Sequence, residues 1–220
     1  MSNAMNKNMF ATIAAAVLVC SGIASAGLLS VDVVSSPSVV VPDHVVNQIF
    51  VSFEDQLTGV QILTEGLEPG DIYQDGDGSD TAPSSAFVGF VPSLAEDTFV
   101  HFGADRSDGT GAVSPSVAGG AVDLGGAAAA TFTDGLLDVA YFPPGGNEIV
   151  DQIGYFVGQI TLSNTANSSV EILVGTTSEV GGPTQGSQTY DVVDGQLVPE
   201  PATMTLLGLG GLALLRRRRA

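Results

Sequence analysis

The chain has 220 residues, enough for one large domain or two small ones. Its six Lys and Arg stand against 24 Asp and Glu, a formal charge of −18, which argues against nucleic acid or anionic lipid as partners of the body, because both need cations to neutralise phosphate. With no Trp, 28 Gly and 11 Pro, the composition favours strands and turns over helices.

The charge is unevenly spread. The cations are Lys7, Arg106 and Arg216 to Arg219, so residues 27–198 carry one cation against 23 acids, a net of −22. The only cysteine is Cys20, which leaves that body without a thiol, a disulfide or a thiolate metal site.

In chain order, MSNA looks like a tag scar ahead of a second start at Met5. From there, Lys7, an apolar run from Met9 to Val19, and Ala24-Ser25-Ala26 have the three parts of a signal peptide cleaved after Ala26. Residues 1–26 are therefore expected to form a signal helix read by the secretion machinery. A lipoprotein site at Cys20 fits less well, because Val19 is bulkier than the small residue expected before it.

Short β-branched or aromatic stretches bounded by Gly, Pro, Asn or Asp follow at 28–34, 44–53, 59–63, 86–91, 98–103, 136–142, 154–162, 169–175 and 189–193. They predict about nine strands in an all-β, antiparallel β-sandwich body over residues 27–198. Residues 92–99 predict a single helical turn. The Gly-, Ala- and Ser-rich stretch 103–130 reads as a long loop or weak β-excursion within one domain, and 181–188 as a loop. The layout of FVSF and GVQIL early, GYFVGQITL and SVEILV late, is similar to jelly-roll or cohesin-like carbohydrate-associated sandwiches.

For chemistry, DIYQDGDGSD (71–80) offers Asp75, Asp77, Ser79 and Asp80 as candidate calcium ligands, alternating like the first half of a calcium loop. The sixth position is Asp80 instead of Gly and the twelfth is Ala86 instead of Glu, so a solvated Asx turn is the competing reading. Asp105 and Asp108, with Arg106 between them, are a lesser cluster. The doublets Glu54-Asp55 and Glu96-Asp97 supply carboxylates for glycoside chemistry, but neighbours on a strand point to opposite faces, so solvated loop ends are expected. His44 and His101 would both be needed for a zinc site. No G-x-S-x-G elbow, P-loop or dinucleotide glycine pattern occurs. The expectation is a protein that is not an enzyme and has no cofactor beyond candidate calcium.

The C-terminus is the most specific feature. Met204 to Leu215 is apolar or small apart from Thr205. Twelve helical residues span about 18 Å, short of the ~30 Å bilayer core, so a short transmembrane helix suited to a temporary anchor is expected. Arg216, Arg217, Arg218 and Arg219 would hold its end in the cytoplasm. Pro199, Glu200 and Pro201 precede it. These three parts in this order at residues 199–220 resemble the PEP-CTERM sorting signal. The resemblance implies an exported bacterial protein, recognised by an exosortase (a membrane-embedded cysteine protease or transpeptidase), cleaved near Pro199-Glu200-Pro201, and released or attached at the cell surface, often alongside exopolysaccharide. A structural or adhesive surface or extracellular-matrix role is the expectation for the body. A secreted carbohydrate-binding module or carbohydrate-active enzyme is the alternative, favoured by a cleft lined with acids and Tyr73, Tyr141 and Tyr155.

Overall fold

The computed structural model describes residues 27–120 apart from Glu65 and Glu68, then Thr131, Phe132 and residues 137–200. The strands are β1 (Leu28–Pro37), β2 (His44–Thr64), β3 (Ile72–Tyr73), β4 (Phe99–Val100), β5 (Ser116–Gly120), β6 (Thr131–Phe132), β7 (Asp138–Phe142), β8 (Val150–Ser163), β9 (Ser168–Ser178), β10 (Gly182–Val193) and β11 (Gln196–Pro199). One short helix, α1 (Ser85–Phe90), and a 3-10 turn (Pro92–Glu96) sit between β3 and β4. All strand pairings are antiparallel, with one isolated parallel bridge between Thr81 and Val100. The all-β expectation holds. Among the described residues no helix is long and apolar enough to cross a membrane; the expected signal helix and membrane helix lie outside them.

The 21-residue β2 organises everything else. Its first half pairs with β1 on one side and β8 on the other, from His44↔Ser163 onwards. Its second half pairs with β7 from Val60↔Tyr141 and with β9 from Gln56↔Thr177. The change of partners falls where the register shifts, between Phe53 and Gln56, and where Asp55 takes a left-handed φ of 69°. Bulges bend strands and let them serve two parts of a sheet. From there the order runs outward through β9 and β10 to β11 at one end, and through β8 and β3 to β6 at the other.

Alternation explains which side chains go inside. Ile49, Val51 and Phe53 from the first half of β2, and Val60 and Ile62 from the second, are at most 3 % exposed. They share one core with Ile160 and Leu162 of β8, Val170, Ile172 and Val174 of β9, and Tyr190, Val192 and Leu197 near the C-terminal end. Each such side chain contributes about 1.5–3 kcal/mol on burial, and with no cysteine in the body this is the dominant stabilising term. Three buried polar groups then tie distant strands together. Tyr141 on β7 donates to the Val157 carbonyl of β8, and Tyr190 on β10 to the Val31 carbonyl of β1, each at 2.6 Å. Asn47 on β2, fully buried, spans furthest. Its Nδ2 donates to the carbonyls of Val45, Ile160 and Gly195 at 3.3, 3.2 and 2.9 Å, and its Oδ1 accepts from Ser35 Oγ at 2.7 Å and the Leu197 N–H at 3.1 Å.

Three expectations change: the strands expected at 44–53 and 59–63 are one continuous strand, β2. Residues 86–91, expected as a strand, form α1, capped by Ser84, whose Oγ accepts from the Phe87 N–H. None of its residues is buried. Residues 181–188, expected as a loop, are mostly the first part of β10, paired with β9 from Gly182↔Ser178 onwards. The expected turn at 92–99 is the 3-10 segment, and 116–120 is a weak strand paired with β7.

Candidate functional site

Two places draw together residues singled out above. The first is the acidic loop that follows β3. Its Asp75, 8 % exposed, accepts from Tyr73 Oη at 3.0 Å and from the Asp77 N–H at 2.9 Å. Burial alone would raise the Asp75 carboxyl; hydrogen bonds from Ser93, the Asp77 N–H and Tyr73 outweigh it and hold it below the usual range. Tyr73 is pushed up to about 12, first by its own burial and then by this carboxylate. Asp77 and Ser79 are exposed, and Ser79 Oγ donates to the Thr81 carbonyl at 2.9 Å. Asp80, the fourth candidate calcium ligand, is half-buried. Among the described residues no group of three or more His, Cys, Asp or Glu side chains is placed to hold a metal ion.

What the loop encloses instead is Asp97. This side chain is 1 % exposed, not the solvated loop end its doublet suggested. Its carboxylate accepts from the Asp75 and Thr98 N–H groups at 2.7 and 2.9 Å and from Gln74 Nε2 at 3.0 Å. Gly78 lies so close to the carboxylate that a Cβ there would collide with Oδ2, which explains a glycine inside the acidic run. Burial dominates over the two N–H donors and the neighbouring Asp75 adds to it, so the Asp97 carboxyl is pushed up to about 8. The backbone around it is fixed from β8. Gln159 Nε2 donates to the carbonyls of Ala95 and Asp97 at 3.1 and 2.8 Å, and the Thr161 N–H donates to Thr98 Oγ1 at 3.0 Å.

Its neighbour Glu96 faces elsewhere. The carboxylate receives the N–H groups of Val39, Val40 and Val41 at 2.8, 2.9 and 3.2 Å, together with Ser38 Oγ. It pins the β1–β2 loop. Burial would raise it, but these donors prevail and hold it below the ordinary Glu range. The Glu54-Asp55 doublet lies at the bend of β2, where the Asp55 N–H donates to Asp151 Oδ1 at 2.9 Å.

The remaining expectations separate. His44 Nδ1 is 2.7 Å from the Pro42 carbonyl and its Nε2 is 3.7 Å from Asp71. His101 is fully buried and neither ring nitrogen has a hydrogen-bond partner among the described residues; burial lowers its pKa. Arg106 pairs with Asp105 at 3.5 Å, while Asp108 accepts from the Ser85 N–H and Oγ at 2.9 and 3.0 Å. Of the three tyrosines expected to line a cleft, Tyr141 is in the core, Tyr155 stacks on Phe102 with centroids 6.4 Å apart, and Tyr73 faces Asp75. An open groove of about 270 Å³ crosses Gly59, Gln61, Ala140 and Phe142. A second, of about 440 Å³, runs past Gln56 and Pro143 to Glu148. Neither includes Asp75 or Asp97.

The second place is the junction with the C-terminal tail. The expected boundary put the body's end at residue 198, but β11 continues to Pro199 as an edge strand. Val193↔Gln196, Val192↔Leu197, Asp191↔Val198 and Tyr190↔Pro199 are paired. The connection is Asp194-Gly195, both left-handed at φ 51° and 76°, as a two-residue hairpin turn requires. Asp-Gly between two apolar pairs was the available sequence signal for this hairpin. Leu197 is 4 % exposed and belongs to the core. Glu200 is exposed and has left the sheet. Pro201, the arginines 216–219, and Ala24 and Ala26 lie outside the described residues.

Residues 197–219 match the model of the PEP-CTERM protein-sorting motif. No curated protein and no solved structure matches the chain.

Proposed function

We propose that this is an exported protein, handed by its C-terminal motif to an exosortase, whose β-rich body serves a structural or adhesive role at the cell surface or in a polysaccharide matrix. The observation that carries the reading is the motif match over residues 197–219, on a chain whose opening 26 residues have the parts of a signal peptide. The apolar run is too short for a lasting membrane span, and it suits a protein held at the membrane only until it is processed.

The body supports the surface role in two ways. A net charge of −22 over residues 27–198 keeps it solvated and away from anionic lipid once released. Its stability rests on a large apolar core, a smaller cluster of Ala82, Phe99 and Phe156, and cross-strand bonds from Tyr141, Tyr190 and Asn47, which need no reducing compartment. We read the two halves of β2 as belonging to two facing layers, a sandwich held together by those bonds.

Cell fractionation with mass spectrometry of the mature termini tests this. The expected product begins at Gly27, lacks the arginine cluster, and is found outside the cytoplasm. Recovery of the full-length chain from the cytosol with both ends intact would overturn it.

A further inference from the structure

The sorting motif and the folded body overlap. The motif begins at residue 197, whereas the sheet ends at Pro199. Leu197, Val198 and Pro199 thus fall both within the matched motif and in an edge strand of the body. Leu197 is not a loosely placed member of that strand: its side chain is in the core and its N–H is bonded to Asn47 Oδ1.

We propose that β11 is part of the sorting protease's substrate and must leave the edge of β10 to be processed. This rests on the exosortase reading above. Two physical arguments lead to it. The first is exclusivity. Proteases grip several residues in extended form, pairing with the peptide backbone as an added strand does. One backbone edge of β11 already pairs with β10, the Leu197 N–H on the other edge is bonded to Asn47 Oδ1, and the Leu197 side chain cannot fill an enzyme pocket while it fills the core. The second is reach. Between Pro199 and the apolar run that starts at Met204 lie four residues, about 14 Å when fully extended. Packed layers of protein need about 10 Å each, so a folded body and a protease cleft that grips the peptide on both sides do not fit into that interval. Freeing Gln196 to Pro199 doubles the span to about 28 Å.

The fold makes this release local. β11 has four residues, pairs with β10 alone, is the last strand of the sheet order, and has only one buried side chain. When it leaves, Asn47 keeps its bonds to Ser35, Ile160 and Gly195, and β10 keeps its full pairing with β9. Processing then breaks one peptide C–N bond near Pro199-Glu200-Pro201. The departing amine takes a proton, and water or an amine acceptor takes the acyl group.

The test locks β11 in place. Asp191 and Val198 are cross-strand partners on the outward face. Antiparallel partners hold their Cα atoms roughly 4.5–5.5 Å apart, within the span of a disulfide. The body has no other cysteine. The full-length chain carrying Asp191→Cys and Val198→Cys is exported in cells that make the exosortase, with Val193→Cys and Gln196→Cys as a second lock across the same hairpin. Bridge formation is read by thiol labelling and processing by the mass of the mature chain. Either bridged form is expected to yield at least tenfold less mature product than the wild type, with recovery on adding reductant and normal processing of the single-cysteine variants. Wild-type rates from a bridged chain would overturn the role of β11 and leave the exosortase reading standing. A wild-type chain left uncleaved in the same cells would overturn both.

Discussion

Replacing Asn47 puts the cross-strand bonding scheme to its strictest test. The side chain is fully buried and reaches β1, β8 and the β10–β11 hairpin. Asn47→Ala strands the Leu197 N–H and the Gly195 carbonyl, each a buried polar group that costs about 1–3 kcal/mol when left unpaired. Ser35 is half-buried and can turn towards water. The expected loss is about 3–5 kcal/mol, a large share of the roughly 5–15 kcal/mol that holds a domain folded. Asn47→Asp separates the two sides of the amide. It keeps the acceptor for Leu197 and Ser35 but turns a carboxylate oxygen towards three carbonyls, so it is expected to be at least as damaging at neutral pH. It should recover partly on acidification, when the protonated acid donates again. Urea unfolding of residues 27–200 reads both, as a lower midpoint with an unchanged slope. A loss below about 1 kcal/mol for Asn47→Ala, or a neutral-pH Asn47→Asp as stable as the wild type, would refute the reasoning.

The Asp97 carboxyl, pushed up to about 8 from 3.8, makes the folded state hold a proton that the unfolded chain releases, so its contribution is complete below pH 3.8 and declines until the pH passes about 8. Asp97→Asn should flatten that part of a stability-versus-pH curve. His101 acts with the opposite sign. Its pKa is lowered in the fold, so stability falls as the pH drops below the ordinary histidine value of about 6.5; melting of His101→Leu should lose that acid-side decline. Glu96 is held below the ordinary Glu range by Ser38 and three N–H groups, so its support is present above pH 4.5 and fades as the folded value is passed on acidification. Glu96→Gln should cost about 1–2 kcal/mol at neutral pH and speed amide exchange at Val39 to Val41.

Where side-chain alternation was strong, the fold could be read in advance. Ile49, Val51 and Phe53 in β2, and Ile172 and Val174 in β9, show a two-residue period with the apolar set facing in, whereas in β8 the intervening Gln159 and Thr161 are as buried as Ile160 and Leu162. The stretch 86–91 has the same composition but forms α1. Ser84 caps a helix there, and the exposed Phe87 and Phe90 have no facing layer to bury a strand. The reverse failure is the start of β10. Gly182 to Gln188 has no apolar alternation, yet β9 supplies a full row of backbone partners, and pairing of that kind leaves no mark in side-chain pattern. Pro183 is tolerated because this is near the sheet edge. Asp97 could not be foreseen either. Its burial depends on Gln74, Asp75 and Gly78 closing over it from some twenty residues earlier, which no local pattern encodes. Leu197 falls inside the expected body, but no alternation around it marks it as core; only the hairpin at Asp194-Gly195 brings it in.

The position of β2 in the chain has a consequence for how the protein crosses a membrane. By the signal-peptide reading, the chain threads through a secretion pore unfolded and amino end first. The hub of this sheet emerges early, but its partners at Ser163 and Thr177 are still more than a hundred residues behind it. Only β1 can join it until β7 emerges, and a lone hairpin is marginal in water. Collapse thus waits until nearly the whole chain is through, which keeps the passenger slack during transit and leaves the closing of the globule to its final residues.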